Sequence, residues 1–333
     1  MKVCTSWVFL CIFLCMGKCL GQRSGISYFF DNDLLFITEN EDRDYTLGMG
    51  VNFYHSQENK SMAGAIHRHL DGILGWESLL LNASIHTYST SLELRLFTPD
   101  DLQASEPIRI DRPYASILTL GSSRNSQFIE KGLRIKSQFE IGLLGFFAAK
   151  QVQSAAHAMV RSLRQREDPY EPQGWQNQIS RGGEFTFRYS IGVEQKIGML
   201  SWKSRKRQGV KHLESTLFSE LSLGYRSYLG SGLKLKLGWI PNKASDKTGI
   251  YLHSSLAGEL VGYNALLQGQ FRYSVHRLSY KSLNNWLYRA SVGLCYQGKD
   301  WELDYSLFLR NAEFAPTDHP IHYWGALKLS FWR

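Results

Sequence analysis

Between Glu184 and Glu194 the chain reads EFTFRYSIGVE. Aromatic and branched apolar residues occupy every odd position from Phe185 to Val193, and polar residues or glycine occupy the even positions. A period of two places successive side chains on opposite faces of a β-strand. This stretch therefore predicts a strand with one apolar and one polar face.

The same alternation recurs through the chain and predicts twelve strands. They lie near residues 24–34, 45–56, 86–97, 114–124, 132–146, 183–198, 214–228, 231–240, 249–261, 285–297, 300–313 and 322–332. Many of these segments run for about 9–12 residues, which a tilted strand needs to cross a bilayer, whereas soluble strands average about 5–6. Aromatic residues at the segment ends, such as Trp286 and Tyr296, resemble interfacial girdles. The predicted fold class is therefore all-β, a 12-stranded antiparallel transmembrane β-barrel.

The first residues carry a targeting pattern. Lys2 precedes an apolar run at residues 7–16, and small residues follow near Gly21, which predicts a secretory signal peptide at residues 1–21 and a barrel domain at 22–333. Only one of five cysteines, Cys295, lies beyond this leader, so no intramolecular disulfide is expected. No later apolar run reaches the ~18 residues of a spanning helix.

The net charge of +8 does not indicate nucleic-acid binding. The cationic residues are spread along the chain, and the densest run, residues 203–211, lacks interleaved aromatic residues. A solvated turn is the simpler interpretation of that run.

The strand count places three polar segments at one end of the barrel. With an even number of strands both termini lie on the periplasmic side, and connections after odd strands face outward. Residues 35–44, 98–113 and 147–182 are then external. Carboxylate, amide and imidazole groups from these segments can converge, as an active site requires.

The third segment predicts a short helix in an outer loop. Residues 151–159 are rich in alanine and lack strand alternation, and Gln153 and His157 stand four residues apart on one helical face. A histidine with a pKa near neutrality suits a general base that activates water. An ordinary surface helix that carries a histidine is the alternative.

The first segment offers oxygen ligands. Asp31, Asn32, Asp33 and Thr46 could coordinate a hard cation such as calcium. Aspartate and asparagine also stabilise turns, so turn chemistry explains the same residues without a metal.

Two further groups have competing interpretations. Arg112, in the second segment, is either an ion-pair strut or a ligand for substrate. His67, His69 and Asp71 resemble a metal cluster, but parity places them in a periplasmic connection. A solvated loop or short helix is the favoured interpretation of that stretch.

Taken together, these segments resemble the outer-membrane lipid A 3′-O-deacylase family. The matching elements are Asn32-Asp33, Asp42-Arg43-x-Tyr45-Thr46-x-Gly48, Thr98-Pro99, Asp111-Arg112-Pro113-Tyr114-Ala115, Gln151-x-Gln153-x-x-x-His157, Gly174-Trp175-x-x-Gln178 and residues 263–269. Each motif is weak alone, but their order and their placement in alternate connections are specific. The resemblance covers nearly the whole chain after the leader.

The resemblance implies a function. Such a protein is a twelve-stranded barrel in the Gram-negative outer membrane that removes the 3′-linked acyloxyacyl chain of lipid A, the anchor of lipopolysaccharide, by calcium-dependent ester hydrolysis. The implied catalytic residues are His157, which activates water, Gln153, Asn32, Asp33 and the family glutamate, Glu171 or its rival Glu167. The implied metal ligands are Asp33 and Thr46. Its partners are lipid A and outer-membrane lipids, and a monomer is expected.

One departure concerns the substrate phosphate. The family's basic pair in the second outer loop has no counterpart, because that stretch reads LQAS at residues 102–105. Arg109 and Arg112 are the remaining candidates for substrate binding. A barrel phospholipase would need a His-x-Ser-Asn-Gly element, which the chain lacks, and a non-catalytic pore or scaffold stays open as an alternative.

Overall fold

The computed structural model describes residues 24–32, 35, 44–55, 62–80, 82–164, 172–203, 210–240, 248–317 and 319–333. Within these ranges the side chains of residues 44, 157, 159–164 and 203 are not described. The predicted signal peptide lies outside the described residues and stays a prediction.

The described residues form a closed barrel of twelve antiparallel strands, which confirms the predicted fold class. The strands are β1 (Gly25–Asn32), β2 (Asp44–His55), β3 (Ile85–Thr98), β4 (Ala115–Phe128), β5 (Leu133–Leu144), β6 (Glu184–Lys203), β7 (Val210–Gly224), β8 (Arg226–Trp239), β9 (Gly249–Asn264), β10 (Trp286–Gln297), β11 (Trp301–Asn311) and β12 (Ile321–Trp332). The helices are α1 (Met62–Ile73), α2 (Trp76–Leu80), α3 (Ala149–Arg164) and α4 (Ala265–Gln268).

The first and last strands close the ring. β1 pairs with β12 from Gly25 opposite Trp332 to Asn32 opposite Gly325. Closure satisfies the backbone groups of both strands, which is required where hydrocarbon surrounds the wall. Side chains such as Leu256 and Leu229 are more than half exposed on the outward face, where lipid takes the place of water. Among the described residues no helix is both long and apolar enough to cross a membrane.

The two ends of the barrel differ in their connections. Connections after even strands include the four-residue turn 129–132 and the three-residue turn 298–300, whereas those after odd strands include residues 99–114, 145–183 and 265–285. Long loops mark the external side of such barrels and short turns the periplasmic side. We call these the outer end and the inner end, and they match the predicted parity.

An exception at the inner end is the long connection that carries α1, which enters the barrel. His67 is buried, and its ring nitrogens lie 3.2 and 3.0 Å from the hydroxyls of Ser122 and Ser137. Asp71 accepts hydrogen bonds from Ser137 (3.0 Å) and from the Tyr189 hydroxyl (2.7 Å). The prediction of a short helix is confirmed, but the prediction of a solvated segment is wrong for these side chains. The polar face of α1 is the buried face because the barrel interior is itself polar.

Ion pairs fill the outer half of the interior. Glu140 accepts hydrogen bonds from Arg188 (2.7 Å) and from the Tyr225 hydroxyl (2.6 Å). Glu259 lies 2.5 Å from Arg226 and 3.2 Å from Arg289. Removing one member of a buried pair typically costs about 3–5 kcal/mol, because the other charge stays buried. These pairs therefore hold the wall strands in one arrangement.

We predict that protonation of His67 destabilises the folded barrel. Burial lowers the pKa of His67 below its ordinary value of 6.5, and the nearby Asp71 carboxylate only partly opposes this. The unfolded chain therefore binds the proton more readily, so stability is complete above about pH 6.5 and falls as the pH drops towards the lowered pKa. Each unit of lowering contributes about 1.4 kcal/mol.

Urea unfolding of the protein in vesicles between pH 5 and pH 8 measures this effect. His67→Gln should flatten the pH dependence, whereas His69→Gln, on the exposed side of α1, should retain the wild-type slope. Equal slopes for wild type and His67→Gln would contradict the prediction.

Candidate active site

The candidate site begins with a row of residues on the outward face of the wall. Asn32 pairs with Leu47, Leu47 with Leu96, and Leu96 with Ser116, so one row crosses β1 to β4 near the outer end. Strand alternation places Leu96 on the face opposite to Arg95, whose guanidinium pairs with Glu93 and lies in the interior. The row therefore faces away from the barrel interior.

Helix α3 covers this row from outside. Leu96 is 0% and Leu94 8% exposed, whereas Leu92, further along the same face, is 46% exposed. Leu94 and Leu96 share an apolar cluster with Ala149, Val152 and Ala156 of α3. Because lipid is as apolar as leucine, the helix gains little from the hydrophobic effect here, and small residues that allow close packing hold it instead.

A buried hydrogen bond fixes the polar side of α3. Gln153 is 1% exposed, and its Oε1 accepts a 2.7 Å hydrogen bond from Trp175 Nε1. The Trp175 ring packs on Tyr114 with centroids 4.9 Å apart, and Gly174 is required because a Cβ there would collide with the Tyr114 ring. His157 follows Gln153 by one turn of α3, and its side chain lies outside the described part.

The end of the same connection returns to the wall. Gln178 is buried, and its Oε1 accepts a 2.8 Å hydrogen bond from the Ser116 hydroxyl. Gln173 N donates to the carbonyl of Leu102 at 2.8 Å, which ties this segment to the second outer loop. Two of the predicted segments thus meet over β4.

Oxygen atoms gather at the other end of the row. Asn32 Nδ2 donates to the Thr46 carbonyl at 2.5 Å, and the hydroxyls of Thr46 and Thr98 lie 2.6 Å apart. All three residues are buried. Thr98 was not singled out from the sequence as a site residue; the pairing of β2 with β3, which sets Thr98 opposite Asp44, is the signal that would have indicated it.

The motif residues Tyr45 and Gly48 contribute to contacts on the interior face of the wall. Tyr45 donates from its hydroxyl to Asp31 Oδ2 at 3.1 Å. A side chain at Gly48 would occupy the space of the Tyr45 hydroxyl, so glycine is needed for this contact. Asp31 therefore points to the opposite face of the wall from Asn32.

The oxygen atoms of Asn32, Thr46 and Thr98, which we call the oxygen cluster, provide some of the ligands that a hard cation needs. Amide, hydroxyl and carbonyl oxygens are calcium ligands, and Asn32, Thr46 and Thr98 provide them. Within the described ranges, no three His, Cys, Asp or Glu residues are grouped as a metal site. Asp33, the predicted carboxylate ligand, and Glu171 with its rival Glu167 lie outside the described residues.

The two candidate arginines occupy different environments. Arg112 is 1% exposed, lies 3.7 Å from Glu313 of the last outer connection, and stacks over Phe97 at 4.5 Å. These contacts favour the ion-pair strut over a substrate contact. Arg109 is exposed in the second outer loop.

The comparisons identify related proteins. A family profile described as "Outer membrane protein LpxR" matches residues 7–332. The structure of LpxR from Salmonella typhimurium aligns with a TM-score of 0.68 and 15% identity over 92% of this chain and 99% of that one. KdgM porin aligns with a TM-score of only 0.37 and 7% identity over 92% of this chain and 98% of its own. No sequence among curated proteins matches this chain.

We predict that Trp175→Phe loosens α3. Phenylalanine keeps a ring against Tyr114 but removes the indole donor to Gln153, and losing one partner of a buried hydrogen bond costs about 1–3 kcal/mol. Hydrogen exchange should speed up in residues 149–156, while exchange in the strands stays unchanged. Trp202→Phe is the matched control, because Trp202 is 43% exposed at the far end of β6. Unchanged exchange in α3 would show that the bond does not hold the helix.

Proposed function

The chain belongs to the LpxR family of outer-membrane proteins, and from this premise we propose that it is a hydrolase that removes the 3′-linked acyloxyacyl chain from lipid A of lipopolysaccharide. The protein is an outer-membrane β-barrel. Lipid A lies in the outer leaflet of that membrane, so an enzyme for it needs a site that opens sideways to lipid.

The observation that carries the proposal is the position of α3. The helix packs on the outward face of β2 and β3, and Gln153 of this helix is buried with its side chain bonded to Trp175. A substrate whose acyl chains stay in the membrane can reach polar groups at this depth. A site inside the barrel would instead require the substrate to leave the lipid.

The chemistry assigned to these residues is water-mediated hydrolysis of an ester. His157 takes a proton from water, the water oxygen attacks the ester carbonyl, and the sugar alkoxide leaves and is protonated as the fatty acid is released. Gln153, held by Trp175, lines the site beside His157. Glu171 and the exposed Arg109 are assigned to the orientation of His157 and to the substrate phosphate, respectively.

Calcium completes the proposal. When bound by Asp33 and Thr46, the ion would supply positive charge for the oxyanion that develops on the ester carbonyl. Asn32 orients the Thr46 carbonyl through its 2.5 Å hydrogen bond. The hydroxyl of Thr98 does the same for the Thr46 hydroxyl.

The interior argues against the pore alternative. Helix α1 enters the inner half with His67 and Asp71 bonded to the wall, and ion pairs around Glu140 and Glu259 occupy the outer half. A conducting channel needs continuous water through the lumen. These interior contacts support a site on the outward face rather than in the lumen.

We predict that His157→Ala abolishes deacylation without unfolding the barrel. Purified protein is incubated with lipopolysaccharide and calcium, and the lipid A is weighed by mass spectrometry. The wild type should remove a 3′ acyloxyacyl group, and His157→Ala should lose at least 100-fold in rate, within the range that general-base catalysis contributes. His69→Ala, at the inner end, is the control and should retain activity. An unchanged lipid A mass with folded wild-type protein would favour a non-catalytic role.

We predict that a calcium chelator stops the reaction reversibly. EGTA should abolish release of the acyl group, and calcium should restore it. Magnesium should restore it poorly, because that ion demands octahedral geometry and gives up water reluctantly. Full activity in EGTA after exhaustive dialysis would remove the metal from the mechanism while leaving the hydrolase intact.

A further inference from the structure

A segment of the β9–β10 connection crosses the outer end of the barrel. We call residues 270–279 the strap. From Tyr273 to Leu278 its side chains alternate: Ser274, His276 and Leu278 are buried, whereas Tyr273, Val275 and Arg277 are exposed. An extended segment with one buried and one exposed face is built to present that exposed face.

The strap is anchored at its beginning and in its middle. Ser274 Oγ accepts a 3.1 Å hydrogen bond from Ser180 N, and His276 Nε2 donates to the Asp111 carbonyl at 2.8 Å. The backbone N–H groups of Phe271 and Arg272 donate to Glu184 Oε1 at 2.8 and 3.1 Å. These bonds fix the backbone, so the exposed side chains stand on a rigid base.

The contact of His276 with Asp111 joins opposite sides of the ring. Asp111 belongs to the β3–β4 connection and His276 to the β9–β10 connection, and β3 and β9 stand six places apart among twelve strands. The two connections therefore meet over the mouth. A small cavity lies where they meet and is lined by His276, Arg112 and Asn177 among others.

The exposed face of the strap is aromatic and basic. Phe271 is 91%, Tyr273 85% and Val275 59% exposed, and Arg272 and Arg277 are exposed beside them. Exposed apolar side chains in a polar frame mark interaction sites. We call Phe271, Arg272, Tyr273, Val275 and Arg277, with the adjacent Arg181, the aromatic–basic patch.

The charge of the patch selects its partner. Residues 265–285 contain Arg272, Arg277 and Lys281 and no aspartate or glutamate, whereas the second outer loop carries Asp100, Asp101, Glu106 and Asp111. Arginine binds phosphate oxygens through paired N–H groups. The electron-rich faces of aromatic rings accept the C–H faces of sugar rings. The patch thus fits a phosphorylated saccharide.

We propose that the aromatic–basic patch binds the phosphorylated oligosaccharide headgroup of lipopolysaccharide. The inference rests on the proposed function, which makes lipopolysaccharide the substrate. It gives this chain a cationic contact at the β9–β10 connection, while residues 102–105 of the second outer loop hold none. The headgroup is held over the mouth of the barrel, while the acyl chains lie in the membrane beside α3.

Binding is tested without hydrolysis. The full-length His157→Ala protein in nanodiscs is titrated with water-soluble, fully deacylated lipopolysaccharide that retains its phosphates, by calorimetry. Arg181→Glu with Arg277→Glu should weaken binding at least 10-fold, and Phe271→Ser with Tyr273→Ser should weaken it similarly. Lys131→Glu with Lys299→Glu, the same charge change in exposed turns of the inner end, should leave binding unchanged.

Three comparisons decide the outcome. The dephosphorylated oligosaccharide should bind the wild type weakly and be insensitive to the charge variant. Inorganic phosphate at equal concentration should not displace the oligosaccharide; complete displacement would reduce the patch to a simple anion site and overturn the proposal. Wild-type affinity in both patch variants would overturn it too.

Failure of this inference and failure of the proposed function give different results. Deacylation of free lipid A, which has no oligosaccharide beyond its disaccharide, measures the wall site alone. If the patch variants deacylate lipid A normally and bind the oligosaccharide normally, only the patch proposal falls. If the wild type binds the oligosaccharide but releases no acyl group, the hydrolase falls and the patch remains.

Discussion

The closure of β1 on β12 is the constraint on which the rest of this structure depends. In hydrocarbon an unpaired backbone N–H or carbonyl has no water to bind, so the sheet must have no free edge. The ring gives the wall two faces, and alternation sends Glu93 and Arg95 to one while Leu94 and Leu96 go to the other. The contacts that a wall residue makes are determined by the face to which its side chain points.

The two faces of the wall carry different kinds of contacts. The interior holds α1 in its inner half and the ion pairs of Glu140 and Glu259 in its outer half, and these contacts stabilise the wall. On the outward face, α3 packs against β2 and β3. Under the proposed function, that is where polar side chains and acyl chains meet without either leaving its preferred environment. The placement of Asn32 outward and Asp31 inward shows how a single residue step decides the role of a side chain.

The strands and their parity could be predicted because alternation is local. The ninth strand, for example, is predicted at residues 249–261 and runs from Gly249 to Asn264. The helix around Gln153 could be predicted because residues 151–159 are rich in alanine and lack strand alternation. The burial of α1 inside the barrel could not be predicted. In an ordinary protein, a helix face that carries His67 and Asp71 is exposed to solvent. Inside a barrel the surroundings of that face are polar side chains, and the same pattern then indicates burial.

The residues at the outer end were harder to predict because distant connections share one space. The sequence leaves Arg112 open between an ion-pair strut and a substrate ligand, because its partner Glu313 lies about 200 residues further along the chain. Likewise, the absence of a basic pair at residues 102–105 indicates a loss of positive charge for the substrate only when that loop is considered alone. In the folded protein Leu102 packs with the cluster around Trp175, and the strap brings Arg277 over the same mouth. The charge offered to a ligand is therefore a property of the assembled rim, and a single loop sequence cannot reveal it.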